Sequence, residues 1–141
     1  MEQRLSMITL LVKDLNRMKR FFLELGWKPS ERSSAELVLF PLPGIVLGLF
    51  PLSGMTKETG LPESELEKGA GILSYNCRSL EELNHLFETI PKLGCRLVKK
   101  PHKTYWGGHA GFFKDPEGNL WEASFNPKMK FNSDGSLSLE K

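Results

Sequence analysis

The chain has 141 residues and a formal net charge of +2, spread without a basic run. That balance argues against nucleic acid as the main partner, and no apolar run approaches the ~20 residues of a membrane span. One domain is expected, long enough to bury roughly two-thirds of its unfolded surface.

The opening MEQRLSMITLLVKDL lacks the long apolar core and cleavage site of a signal peptide, so a cytoplasmic protein is expected. Residues Leu5 to Val12 are apolar and β-branched and predict a strand. Asp14 stands where a helix N-cap belongs, with Leu15, Met18, Phe22 and Leu25 at helical spacing and Gly26 placed to end the helix. Trp27 to Arg32, Ala35 to Phe40 and Ile45 to Phe50 predict three further strands, the last two joined by the turn Pro41-Leu42-Pro43-Gly44. Leu52 to Gly69 is glycine-containing, charged and aperiodic, and is expected to be a long loop, either a lid or a plain connector. Within it, Pro62 is placed to start a short helical turn through Glu67.

A second cycle begins at Ala70. Gly71 to Cys77 predicts a strand, and Ser79 with Glu82 makes a capping box. Leu80, Leu83, Phe87 and Ile90 form one helical face, ended by Pro91 and Gly94. Cys95 to Lys99 predicts a strand, and Tyr105 to Phe125 supplies two more around Asp115-Pro116-Glu117-Gly118. Cys77 and Cys95 make neither a disulfide framework nor a CxxC motif and are expected to be buried, reduced thiols. After Asn126-Pro127 the tail carries an Asp134-Gly135 turn and is expected to drape on the surface or lack order.

The two cycles match. Leu15, Met18, Phe22 and Leu25 fall 65 residues before Leu80, Leu83, Phe87 and Ile90, and Gly44 falls 74 before Gly118. The chain is thus an internal repeat of strand, helix and three strands. The expected fold is α+β: two βαβββ repeats forming curved mixed sheets around a cleft. Repeat one covers about 5–51, a linker 52–69 and repeat two about 70–126, followed by a tail at 127–141. Each sheet would bury one face under its own helix and leave the other to the cleft.

A four-residue turn at Asp115–Gly118 would set Gly111 opposite Glu122, Phe113 opposite Leu120 and His109 opposite Ser124. Those six side chains would share one face, with Phe112, Trp121 and Phe125 on the other. An acid and an imidazole beside glycine-made space look like the floor of a site. Glu122 is either a base or anchor for a ligand, or a retained acid satisfied by water or His109. Tyr75, Tyr105, Trp106 and Phe113 are candidates to stack on a planar ligand. Gly107 and Gly108 either open the cleft mouth or permit a bulge. His85 is expected on the surface. His102 is expected in a loop, lending charge.

The paired repeat, the strand–Asp-Leu–helix opening and the closing hairpin resemble the vicinal oxygen chelate superfamily. Trp106-Gly107-Gly108, Phe113, Asp115-Pro116, Gly118 and Trp121-Glu122 carry that resemblance. The superfamily includes glyoxalase I, extradiol dioxygenases and bleomycin resistance proteins. The resemblance implies one divalent metal held by four ligands, one from the first and last strand of each repeat. Those positions correspond here to Met7, Gly48, Ile72 and Glu122, of which only Glu122 carries a metal-binding donor suited to such a site. No cofactor is therefore expected. The resemblance points to a protein that binds a small molecule in a cleft, and also implies a homodimer. The alternative is a lyase, isomerase or dioxygenase using a relocated divalent metal, with His109 beside Glu122, or Glu122 alone as general base.

Overall fold

The computed structural model describes residues 7–66 and 73–138. Strand β1 (Met7–Val12) leads into helix α1 (Leu15–Glu24), then β2 (Val38–Leu42) and β3 (Ile45–Pro51). Helices α2 (Leu52–Thr59) and α3 (Glu63–Leu66) follow. The second cycle is β4 (Leu73–Asn76), α4 (Leu80–Thr89), a 3₁₀ turn (Ile90–Leu93), β5 (Arg96–Lys103), β6 (His109–Lys114) and β7 (Leu120–Phe125). A short ribbon of β8 (Lys130–Phe131) and β9 (Leu137–Ser138) closes the described chain.

The chain forms two compact units that divide at the repeat boundary, Met1–Gly69 with Phe131–Ser136, and Ala70–Lys130 with Leu137–Lys141. Each contains its own mixed sheet, ordered β1-β3-β2 in the first and β4-β7-β6-β5 in the second. In both, the first strand runs parallel to the last. Thr9 pairs with Gly48, and Ser74 with Glu122. The offsets of 65 and 74 residues seen in the sequence thus recur as equivalent rungs of the two ladders.

Both long helices start and stop where their caps dictate. Asp14 Oδ1 accepts from the Arg17 amide at 2.9 Å, and Gly26, at φ +86°, ends the first helix. Ser79 Oγ accepts from the Glu82 amide at 3.0 Å, while the Glu82 carboxylate turns back to the Arg78 amide at 2.6 Å. These bonds satisfy amides that a first helical turn leaves without partners. Gly94, at φ +74°, ends the 3₁₀ turn.

The first core packs α1 on its sheet. Phe22 meets Phe21, Trp27 and Phe40 with ring centroids 5.1, 4.9 and 5.0 Å apart. Met18, Phe22 and Leu49 are fully buried, each contributing roughly 1.5–3 kcal/mol by leaving water. In the second unit Phe113 stacks on Trp121 at 5.9 Å, and Phe87 of α4 meets the Phe113 edge at 5.9 Å. The Leu83 and Ile90 side chains complete that packing and are fully buried.

Two expectations are corrected and a third is narrowed. Trp27 to Arg32 forms no strand among the described residues. Pro29 lacks a ladder donor, and the Arg32 amide donates to Ser30 Oγ at 3.2 Å in a local turn at the end of this stretch. The described first half is therefore βαββ and the second βαβββ. The linker is not a loop throughout, since it holds α2 and α3. The Pro62 carbonyl accepts from Glu65 at 3.0 Å and starts α3 as the proline suggested, while Glu67 lies outside the described residues. Leu52, 3% exposed, anchors α2 in the core, an influence that local periodicity does not reveal. Finally, of the two outcomes expected for the tail its described part takes the first, lying on the surface with no buried residue. It pairs β8 with β9 rather than lacking order, and the Ser136 amide and hydroxyl both donate to Asp134 Oδ1, at 2.9 and 2.7 Å. The predicted ends at Leu5, Gly71 and Ile72 fall outside the described residues.

Candidate functional site

The last hairpin sets the site, and one glycine sets the hairpin. The Gly118 amide donates to the Asp115 carbonyl at 2.9 Å, as in the predicted turn. Gly118 itself lies at φ +87°, and the next ladder bond runs from the Asp115 amide to the Asn119 carbonyl at 3.0 Å. This is a type I turn followed by a one-residue bulge with a left-handed glycine. Asp115 locks it, Oδ1 accepting from the Glu117 and Asn119 amides at 3.0 Å each. Its Oδ2 accepts from Asn119 Nδ2 at 2.8 Å and from the Trp121 indole at 3.0 Å.

The bulge moves the register by one residue. Phe112 pairs with Glu122, Phe113 with Trp121, Gly111 with Ala123, and His109 with Phe125. A one-residue slip turns every β6 side chain to the other side of its partner strand. The expected grouping of Gly111, Phe113 and His109 with Glu122 is therefore corrected. Phe113 is 2% exposed in the core beneath α4. A side chain on Gly111 would run into the Phe87 ring of α4, which places the same face under the helix. His109, two residues before Gly111, shares that face, so Glu122 and His109 lie on opposite faces and do not form a pair.

Tyr75 pairs with Ala123 and also belongs to the helix side. Its hydroxyl donates to Glu82 Oε1 of α4 at 2.5 Å. Burial, then the Glu82 carboxylate, pushes the phenol above its ordinary pKa. Tyr105 sits fully exposed at the β5–β6 turn. Gly107, at φ +89°, makes the same kind of bulge there: its amide donates to the Thr104 carbonyl at 3.2 Å, and the Thr104 amide to Gly108 at 3.0 Å. The Trp106 ring occupies the space a side chain on Gly108 would need. The two glycines therefore serve a bulge and a close approach.

The face of the second sheet away from α4 carries Glu122 with other partners. One row across the four strands reads Ser74, Glu122, Phe112 and Lys99. The next reads Asn76, Ser124, Ala110 and His102. Ser124 Oγ donates to Asn76 Oδ1 at 3.1 Å. Ala110 and Ser124 are buried, while Glu122, Phe112, Asn76 and His102 are half-buried. His102 lies in β5 rather than a loop, with its Nδ1 3.1 Å from the Lys100 carbonyl. Two irregularities in β5, between Leu97 and Lys99 and between Lys99 and His102, bring Lys99 and His102 onto this face. The sequence signal for Phe112 was Gly118 as a left-handed bulge. For His102 no local signal announces two shifts of register.

In the first sheet the rung equivalent to Ser74–Glu122 is Thr9–Gly48. A β-carbon on Gly48 would stand 3.2 Å from Met7 Sδ and 3.3 Å from Thr9 Oγ1. The Met7 thioether thus borders the place where a side chain at 48 would project. Ile72 lies outside the described residues. Among the described residues no three His, Cys, Asp or Glu side chains cluster closely enough to hold a metal ion. No described helix is long and apolar enough to cross a membrane.

Comparison with known proteins bears on this arrangement. A glyoxalase-related enzyme from Fulvimarina pelagi is similar over 99% of this chain and 100% of its own, with 28% identity and a TM-score of 0.87. A glyoxalase/bleomycin resistance protein/dioxygenase family enzyme from Burkholderia phytofirmans PsJN is 18% identical over 86% of this chain and 98% of its own, with a TM-score of 0.75. A lactoylglutathione lyase from Agrobacterium tumefaciens shares the fold at 17% identity and a TM-score of 0.66, covering 89% of this chain and 95% of its own. A search of curated proteins found no match. The family model for the Glyoxalase/Bleomycin resistance protein/Dioxygenase superfamily matches residues 4–123, and the chain belongs to that superfamily.

Proposed function

We propose that this protein binds a small molecule on the Glu122 face and does so without the divalent metal of its metal-dependent relatives. One observation carries the reading. Glu122 is the single strong donor at the four corresponding positions, and its counterpart in the other repeat is Gly48, with Met7 Sδ 3.2 Å from its absent β-carbon. A glycine and an isoleucine have no donor, and a thioether is a soft ligand unsuited to the oxygen and nitrogen sites of such metals. The donor set does not fit a four-ligand centre. The row with Glu122 and Phe112 half-buried at its centre and Ser74 and Lys99 exposed at its ends supports binding, because polar and aromatic groups converge on one sheet face. A homodimer, as the family resemblance implies, belongs to the same proposal.

The test is elemental analysis of protein purified without chelator, followed by a thermal-shift screen of small molecules. Less than about 0.1 metal per chain is expected, with a subset of compounds raising the melting temperature. One tightly held Zn, Ni, Fe or Mn per chain would defeat the metal-free reading. A screen with no hit would defeat the binding reading. Conversion of a hit compound, abolished in Glu122→Gln, would instead establish Glu122 as a general base.

A further inference from the structure

We infer that the ligand of this face is amphoteric: a planar molecule with a cationic or donor group at one end and an anionic group at the other. The inference rests on the binding reading above and extends it to a chemical class. The row across the second sheet has opposite charges at separated positions, Glu122 on β7 and Lys99 on β5, with the Phe112 ring between them on β6. Two strand spacings separate Glu122 from Lys99, about 10 Å between backbones. That span suits an aromatic ring bearing a charge at each end, allowing for both side chains to lean inward.

The surroundings fit each end. Beside Glu122 the β4 partner is Ser74, an uncharged hydroxyl, so nothing cationic on that rung neutralises the acid. Among the described residues no hydrogen bond or ion pair engages the Glu122 carboxylate, which is half-buried. Its oxygens reach solvent, and a ligand ammonium or N–H would take the place of water there. At the other end His102 stands one row from Lys99 on the same strand, adding a second donor for an anion. Between the two ends stands the half-buried Phe112 ring, an apolar surface on which a planar ligand can stack. Glu122, Phe112 and Lys99 therefore present acid, ring and base in a line, the complement of a zwitterion.

Three probes and two variants test this. The probes are 4-(aminomethyl)benzoate, which carries both charges, and its single-charge analogues benzylamine and 4-methylbenzoate, titrated by ligand-observed NMR. The zwitterion should bind wild-type protein roughly tenfold tighter than either analogue, the gain of one charge-assisted contact. Glu122→Gln should remove its advantage over 4-methylbenzoate. Lys99→Gln should remove its advantage over benzylamine. Circular dichroism would establish that both variants fold, and the three-probe ranking on wild-type protein stands as a test without them. Equal affinity for all three probes, no binding of any, or an unchanged ranking in the variants would overturn the amphoteric class. If the thermal-shift screen nevertheless yields uncharged aromatic hits, the binding reading survives while this one fails.

Discussion

Met7 Sδ lies 3.2 Å from the point where a β-carbon on residue 48 would stand. The two positions that would carry the first repeat's metal ligands are thus spatial neighbours, one a thioether and the other without a side chain. Any β-carbon at 48 must displace Met7 or Thr9, whose Oγ1 is 3.3 Å from the same point. We expect the stability changes of Gly48→Ala and Met7→Ala to be non-additive, with Met7→Ala/Gly48→Ala about 0.5–1 kcal/mol more stable than the single changes sum to. Urea denaturation of the four proteins measures this. Strict additivity would show that Met7 yields without cost.

Asp115 is 3% exposed and its two oxygens accept four hydrogen bonds. Asp115→Ala removes every one of those acceptors, among them the carboxylate oxygen to which the buried Trp121 indole N–H donates. The expected loss is about 2–4 kcal/mol, since buried unsatisfied donors cost about 1–3 kcal/mol each and the loop's own bonds go with them. Denaturant unfolding followed by tryptophan fluorescence measures it. A loss below about 1 kcal/mol would mean that Gly118 alone holds the bulge.

Burial pushes both thiols up to about 12 from an ordinary value of 9.0, with Glu82 adding to the shift at Cys77 and Asp115 at Cys95. A raised pKa means that the folded state favours the neutral thiol. The unfolded chain ionises first as pH rises past 9.0, so the stabilising contribution is complete below that pH and is lost between pH 9 and 12. Folded protein at pH 8.5 should resist iodoacetamide at both cysteines, while protein in urea should react readily. Equal labelling rates would contradict this. Denaturation midpoints at pH 8, 9.5 and 11 should fall in that order.

Much of this fold is legible along the chain because it is decided by neighbours in sequence. Asp14 and Ser79 place the helix starts through bonds spanning three residues. The 65-residue spacing of Leu15 and Leu80 places the repeats, and the apolar stripes of both helices mark the faces they bury. The family resemblance, carried through the same offsets, implied ligand positions at Met7, Gly48, Ile72 and Glu122, of which only Glu122 has a fitting donor.

The composition of the Glu122 face depended on tertiary structure. Asp115-Pro116-Glu117-Gly118 fits a plain turn and a bulged one equally well by residue type, but the two differ by one residue of register. What selects the bulge is Asp115 Oδ2 reaching the Trp121 indole at 3.0 Å and Phe113 stacking on Trp121 beneath α4, contacts that exist only once sheet and helix have met. That choice sends Phe113 to the core and Phe112 to the Glu122 face. It parts His109 from Glu122, and the β5 irregularities bring Lys99 and His102 onto the Glu122 face in its place. Local chemistry determined which elements form; side-chain packing across strands far apart in sequence decided which of their residues share a surface.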